Sequence, residues 1–219
     1  MPLIDDLIKI NKRVCEDLWN VAEYPDAPSF LSPRLIFPEY RQKDEIRYSE
    51  QESRVLFCSQ LDRTAYYYSI ETPTVNTYGT GRSGRSDLSL YAIDNGQLDK
   101  KANIEFKAHN SKQNQIGKDL EKLVNEGLPG NWFHTLENTK KNTLPTLFGK
   151  FKNELANKIG SVHPVNVSIV FCFCVLKEKK AYIKRLNIDD QAILNNRNKL
   201  QKYLEDFFNI SNNWIVVEE

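Results

Sequence analysis

The chain has 219 residues, is 40% hydrophobic, and sets 30 Lys and Arg against 29 Asp and Glu for a formal net charge of +1. That length supports a substantial buried core, and the sequence shows no repeat or low-complexity tract, so a repeat array and a disordered polymer are excluded. The near-zero charge gives no global affinity for polyanions; any affinity for phosphates must come from cations gathered locally.

In chain order, Ile4, Leu7, Ile8, Cys15, Leu18 and Val21 or Ala22 recur near helical spacing and predict a helix over 3–21, packed on the core or on a second subunit. Pro25, Pro28, Pro33 and Pro38 then make 24–39 an extended linker. Residues 1–47 therefore read as an N-terminal helical extension with a Pro-rich linker, available to dock a protein partner or a second copy in a homodimer. Residues 48–219 read as the main domain. It opens with a helix over 50–61 and a strand over 65–72, followed by a strand over 86–93, an Asp94-Asn95-Gly96 turn and a strand over 102–108. A helix over 114–126 is stopped by Gly127, Pro129 and Gly130. A strand over 131–136, a helix over 147–159 and a buried strand over 167–176 come next, the last with a hairpin partner over 181–186. A helix over 189–208 and a strand over 214–217 close the chain. Helices alternating with strands give an α/β protein, a central mixed β-sheet flanked by helices.

The longest apolar run, 167–176, is about ten residues and too short to cross a bilayer, and the first residues form no basic leader. Cys15, Cys58, Cys172 and Cys174 are too scattered for a disulfide framework or a zinc ribbon. Reduced thiols and a cytoplasmic, intracellular protein are expected.

Two strands concentrate the chemistry. In 86–93, Leu88, Leu90 and Ala92 share one face and Asp87, Ser89 and Tyr91 the other; in 102–108, Ile104 and Phe106 share one face and Glu105 and Lys107 the other. Acids and a base converging on one end of a hairpin suit phosphodiester hydrolysis. Carboxylates hold one or two Mg²⁺ (or Mn²⁺) ions, while a lysine orients or deprotonates the attacking water and offsets charge on the phosphate oxygens. The acid-x-Lys pattern also occurs at Asp99-Lys100-Lys101 and Glu178-Lys179-Lys180, in charged or turn-like stretches. Only the copy at Glu105 lies in an apolar strand preceded by a strand bearing an acid.

The order Glu52, Asp87, Glu105-Phe106-Lys107 resembles the PD-(D/E)XK nuclease superfamily, over residues 49–176. The resemblance implies a restriction-endonuclease-like core of a helix, three or more strands, a helix and a further strand. It implies Asp87, Glu105 and Glu52 as metal ligands, Lys107 as the residue that assists the water, and Mg²⁺-dependent cleavage of a nucleic acid, DNA in preference to RNA. Ser86 stands where the motif has its proline. Ser49 and Glu52 also have the spacing of a capping box, and Glu52 shares a helical face with Val55, Leu56 and Ser59, so a cap and a ligand are both open. A catalytically silent nuclease-fold binding or scaffold protein is the competing class; the complete Asp, Glu and Lys set argues against it.

Gly79-Thr80-Gly81-Arg82-Ser83-Gly84-Arg85 comes close to a phosphate-cradling loop, but that pattern needs a helix next and a strand is expected instead. Arg82 and Arg85 read as phosphate contacts beside the metal site, or as members of a solvated hairpin loop. Lys118, opening the helix after Lys107, and His134, on the following strand, complete the nucleic-acid candidates.

Overall fold

The computed structural model describes residues 2–23, 35–38, 47–78, 82–140, 142–162 and 164–219. In chain order its elements are α1 (Pro2–Trp19), β1 (Ala22–Glu23), β2 (Ile36–Phe37), α2 (Glu50–Leu61), β3 (Tyr67–Tyr78), β4 (Arg82–Asp94), β5 (Gln97–Ala108), α3 (Gln113–Asn125), β6 (Gly130–Leu136), α4 (Thr143–Val162), β7 (Val167–Val175), β8 (Lys180–Ile188), α5 (Gln191–Leu194), α6 (Arg197–Phe207) and β9 (Ile215–Glu218). Strands β3 to β9 form one seven-stranded sheet in sequence order. Pairing is parallel from β5 through β6 to β7 and antiparallel elsewhere. The fold is α/β, a mixed sheet flanked by helices.

Period two sorts the strand residues between two cores. Phe106, Phe133, Cys172 and Cys174 join Leu7 and Val14 of α1 and Leu56 and Phe57 of α2 on one face. Trp132, Phe171 and Phe173 join Ile116 and Leu120 of α3, Phe148 and Phe151 of α4 and Leu204 of α6 on the other. With helices on both faces, β7 is buried along almost its whole length, which is why Val167–Val175 reads as a continuous apolar run.

The β4–β5 hairpin closes through Asn95 and Gly96, both at positive φ (49° and 78°), as a two-residue turn of the primed type requires. Tight closure pairs Asp94 with Gln97 and holds that register as far as Tyr91 with Lys100. A one-residue register shift between Tyr91 and Leu90 then carries the ladder on from Leu90 with Ala102 to Leu88 with Ile104. β5 therefore starts at Gln97, earlier than its apolar pattern announces. The helix expected over 189–208 is two helices. Asn196 accepts from the amides of Asn198 and Lys199, each at 3.1 Å, and caps α6, because a short amide side chain competes with the helical ladder.

The expected division at residue 47 is not a division of packing. Ile4, Leu7, Ile10, Val14, Cys15 and Leu18 of α1 are buried in the same core as α2 and the sheet. Asn11 and Asn131 bond reciprocally through their amides (2.7 and 3.3 Å), and Trp19 Nε1 donates to the Val175 carbonyl at 3.1 Å. Of the two placements expected for this helix, on the core or on a second subunit, its apolar face takes the core. Most of the Pro-rich segment 24–39 lies outside the described residues. All four cysteines are free thiols, and among the described residues no helix is long and apolar enough to cross a membrane.

Candidate active site

The register that pairs Leu88 with Ile104 sets Asp87 across from Glu105 on neighbouring strands. Asp87 Oδ2 accepts from the Phe106 amide at 2.8 Å, and its Oδ1 meets Arg54 Nη2 at 3.0 Å. Glu105 is fully buried; its Oε2 meets Lys122 Nζ at 2.6 Å and its Oε1 has no hydrogen-bond partner. Lys107 Nζ lies 2.7 Å from Asp119 Oδ2 and 3.8 Å from Glu50 Oε2, and Asp119 Oδ1 holds Lys122 at 2.7 Å. On the far side, Arg54 Nη1 bonds Glu71 Oε1 at 3.0 Å.

Sheet and helices share the work of assembly. Alternation along β5 turns Glu105 and Lys107 toward α3, whose Asp119 and Lys122, three residues apart, face the sheet beside Ile116 and Leu120. Glu50 and Arg54 stand one helical turn apart at the start of α2, so that helix supplies an acid and a base to the same region. Glu71 adopts φ 53° inside β3, between the pairs Ile70 with Leu88 and Thr72 with Ser86. A left-handed non-glycine residue within a strand is uncommon and is retained where the surroundings over-determine it, here through the carboxylate bond to Arg54.

Burial pushes the Glu105 carboxyl well above the usual carboxylate range; Asp87 and Asp119 add to this and Lys122 opposes it. Burial likewise raises Glu50, against the pull of Lys107. For Lys107, burial acts against the charge but Asp119, Asp87 and Glu50 outweigh it, and the ammonium is held above its ordinary value. Lys122 is held up in the same way by Glu105 and Asp119. Lys107 therefore rests protonated. It suits orientation of a water and stabilisation of phosphate charge better than removal of a proton.

Five carboxylates (Glu50, Glu71, Asp87, Glu105, Asp119) meet three cations (Arg54, Lys107, Lys122), a formal excess of two negative charges. Among the described residues no three His, Cys, Asp or Glu side chains gather into a metal-holding group. The donors suit a hard ion that is bound through one or two carboxylates and keeps its waters, as Mg²⁺ does, with Asp87 and the unpartnered Glu105 Oε1 as the protein's share.

Two adjoining clefts open over this network. The larger, about 930 Å³, is lined by Arg85, Gln113, Lys118, Lys122, Glu154 and Lys158 among others. The smaller, about 530 Å³, reaches Glu50, Lys107 and His109, and Lys118 and Asp119 line both. Arg85 and Lys118 are exposed, and neither forms an ion pair among the described residues.

The remaining expected site residues part company here. Glu52 is turned into the helix cap: its Oε2 accepts from the Ser49 amide at 2.7 Å and the Ser49 hydroxyl at 2.6 Å, so the acid of α2 nearest Lys107 is Glu50. His134 is fully buried and cannot touch nucleic acid. Its Nε2 donates to the His109 carbonyl at 2.7 Å, its Nδ1 accepts from Trp132 Nε1 at 3.4 Å, and its ring stacks on Phe173. Gly79 to Gly81 and the Arg82 side chain lie outside the described residues. The strand expected after the glycine-rich segment is β4, but it starts at Arg82 and not at Ser86: Arg85, expected in a loop, is a strand residue paired with Pro73 of β3.

Arg54, Glu71, Asp119 and Lys122 are absent from the sequence reading. The available signal was charge on apolar helical faces: Asp119 between Ile116 and Leu123, and Arg54 beside Phe57. No protein family model, curated protein or solved structure matches the chain.

Proposed function

We propose that the protein is a metal-dependent nuclease of the PD-(D/E)XK type, cleaving phosphodiester bonds in DNA in preference to RNA. The observation that carries the reading is the opposition of Asp87 and Glu105 in register, with a buried carboxylate oxygen of Glu105 left without a partner. The order α2, β3, β4, β5, α3, β6 and the site's excess of two negative charges support it as well.

Asp87 and Glu105 would hold Mg²⁺ or Mn²⁺. When bound, the ion supplies Lewis-acid polarisation of a phosphate oxygen and a water of lowered pKa. Arg54 and the Phe106 amide fix the Asp87 carboxylate. Asp119 and Glu50 keep the Lys107 ammonium aimed at the smaller cleft, where it orients the water and offsets phosphate charge. Arg85 and Lys118, at the lips of the clefts, contact flanking phosphates.

A nuclease-fold binding protein without turnover is favoured by one observation: Arg54 and Lys122 each occupy an oxygen of the two central carboxylates. Incubation with linear, circular and single-stranded DNA and with RNA, with and without Mg²⁺ or Mn²⁺, separates the readings. Metal-dependent cleavage that falls about 10²–10⁴-fold in Asp87→Asn and Lys107→Met supports the enzyme. Tight binding without cleavage by the wild type supports the silent protein.

A further inference from the structure

Lys122 is the most completely satisfied cation of the network, and no acid-x-Lys motif points to it. Its ammonium has three protons and three acceptors: Glu105 Oε2 at 2.6 Å, Asp119 Oδ1 at 2.7 Å and the Arg85 carbonyl at 2.9 Å. Its side chain is 11% exposed, and the carboxylate it holds is entirely buried. An ion pair so placed is weak evidence for a stabilising role, because both charges have lost their water. A different function accounts better for the placement.

An ammonium and a hard divalent cation compete for the same oxygen donors, and two such cations on one buried carboxylate repel strongly. Glu105 has one oxygen on Lys122 and the other unpartnered, so it is charge-compensated but incompletely bonded. Lys122 also lines the larger cleft, with Arg85 and Lys118. A side chain released from Glu105 thus has an aqueous space to enter and two neighbouring cations with which to meet a phosphate. Asp119, shared between Lys107 and Lys122, is placed to keep its hold on Lys107 when Lys122 departs.

Resting on the nuclease reading, we propose that Lys122 is the counter-ion of Glu105 in the metal-free protein. A divalent cation displaces it, and the freed ammonium moves into the larger cleft to contact the nucleic-acid phosphate. Metal uptake is thereby coupled to the appearance of a phosphate-binding charge. The displacement breaks one ion pair and forms another, with no proton transferred.

The test is Mn²⁺ binding, followed by calorimetry or by loss of the free-ion electron paramagnetic resonance signal. It uses the wild type, Lys122→Gln and Lys122→Arg, each checked for fold by far-ultraviolet circular dichroism. Removing the competing cation should tighten Mn²⁺ binding in Lys122→Gln by about tenfold. Lys122→Arg should bind more weakly than wild type, because a guanidinium grips a carboxylate through two bonds and is harder to displace. Unchanged affinities in both variants, or shifts of the opposite sign, overturn the displacement and leave the nuclease reading standing. If no folded form takes up Mn²⁺, the metal-dependent reading fails and the displacement with it. Should Lys122→Gln not fold, the charge-retaining Lys122→Arg decides alone.

Discussion

His134 sets an acid limit on the fold, and its size can be worked from its surroundings. The imidazole has no exposed surface and is ringed by Trp132, Phe151 and Phe173. Burial, reinforced by nearby Lys107, His109 and Lys150 and opposed by the His109 carbonyl, lowers its pKa from 6.5 to about 4. The unfolded chain therefore binds this proton more tightly, so the contribution is whole above pH 6.5 and is lost as pH falls toward 4. Linkage over that window removes about 2 kcal/mol between pH 7 and pH 5, and about 3 kcal/mol once both states are protonated. The perturbation is His134→Phe, which keeps an aromatic ring in an aromatic cage and cannot ionise. It should be less stable than wild type at pH 7, because the His109 carbonyl and the Trp132 indole lose partners, each worth about 1–3 kcal/mol. Its stability should fall by about 2 kcal/mol less than that of wild type on going to pH 5. Urea unfolding of both proteins at the two pH values gives the double difference, from which the titrations of Glu105, Glu50 and the exposed groups cancel. Equal losses in the two proteins would refute a buried, neutral imidazole.

Other residues lend themselves to equally direct tests. Lys118→Ala should weaken nucleic-acid binding uniformly across sequences and lower the slope of log K against log salt by about 0.9, read by fluorescence anisotropy at several ionic strengths; an unchanged slope removes Lys118 from the interface. Asn11→Ala strands the Asn131 amide in the core and should cost about 1–3 kcal/mol, partly recovered in Asn11→Ala/Asn131→Ala. Strictly additive losses in that denaturation cycle would mean the two amides do not depend on each other. Phe151 is fully buried against Trp132, Phe171, Phe173 and Phe208. Phe151→Ala should therefore lower stability by about 3–5 kcal/mol, and a loss below about 1 kcal/mol would contradict that packing.

Elements with strong local signals appear where the chain announces them. α2 begins one residue after Ser49 because Ser49 and Glu52 close a capping box that needs no distant partner. β7 is legible because burial on both faces demands an unbroken apolar run. Where reading and structure diverge, a contact from elsewhere in the chain decides. The polar residues Gln97 to Lys101 join β5 because hairpin closure at Asn95 and Gly96 brings β4 alongside them. His134 goes to the core because β6 is the middle strand of the sheet, a position its own neighbours in sequence do not reveal.

The amino-acid sequence by itself determined the α/β alternation, the pairing of β4 with β5 through an Asp94-Asn95-Gly96 turn, and the face shared by Glu105 and Lys107, since all of these follow from periodicity and turn chemistry over a few residues. The one-residue register shift that sets Asp87 across from Glu105 is not written in either. Tertiary structure alone decided which charges complete the site. It seats Lys122 and Asp119 from α3 and Arg54 and Glu50 from α2 against those strands, and of the two placements open to α1, the core or a second subunit, it selects the core. The physical reason is that ion pairs and buried amides couple residues distant along the chain, and their partners are fixed only when the sheet and its helices dock.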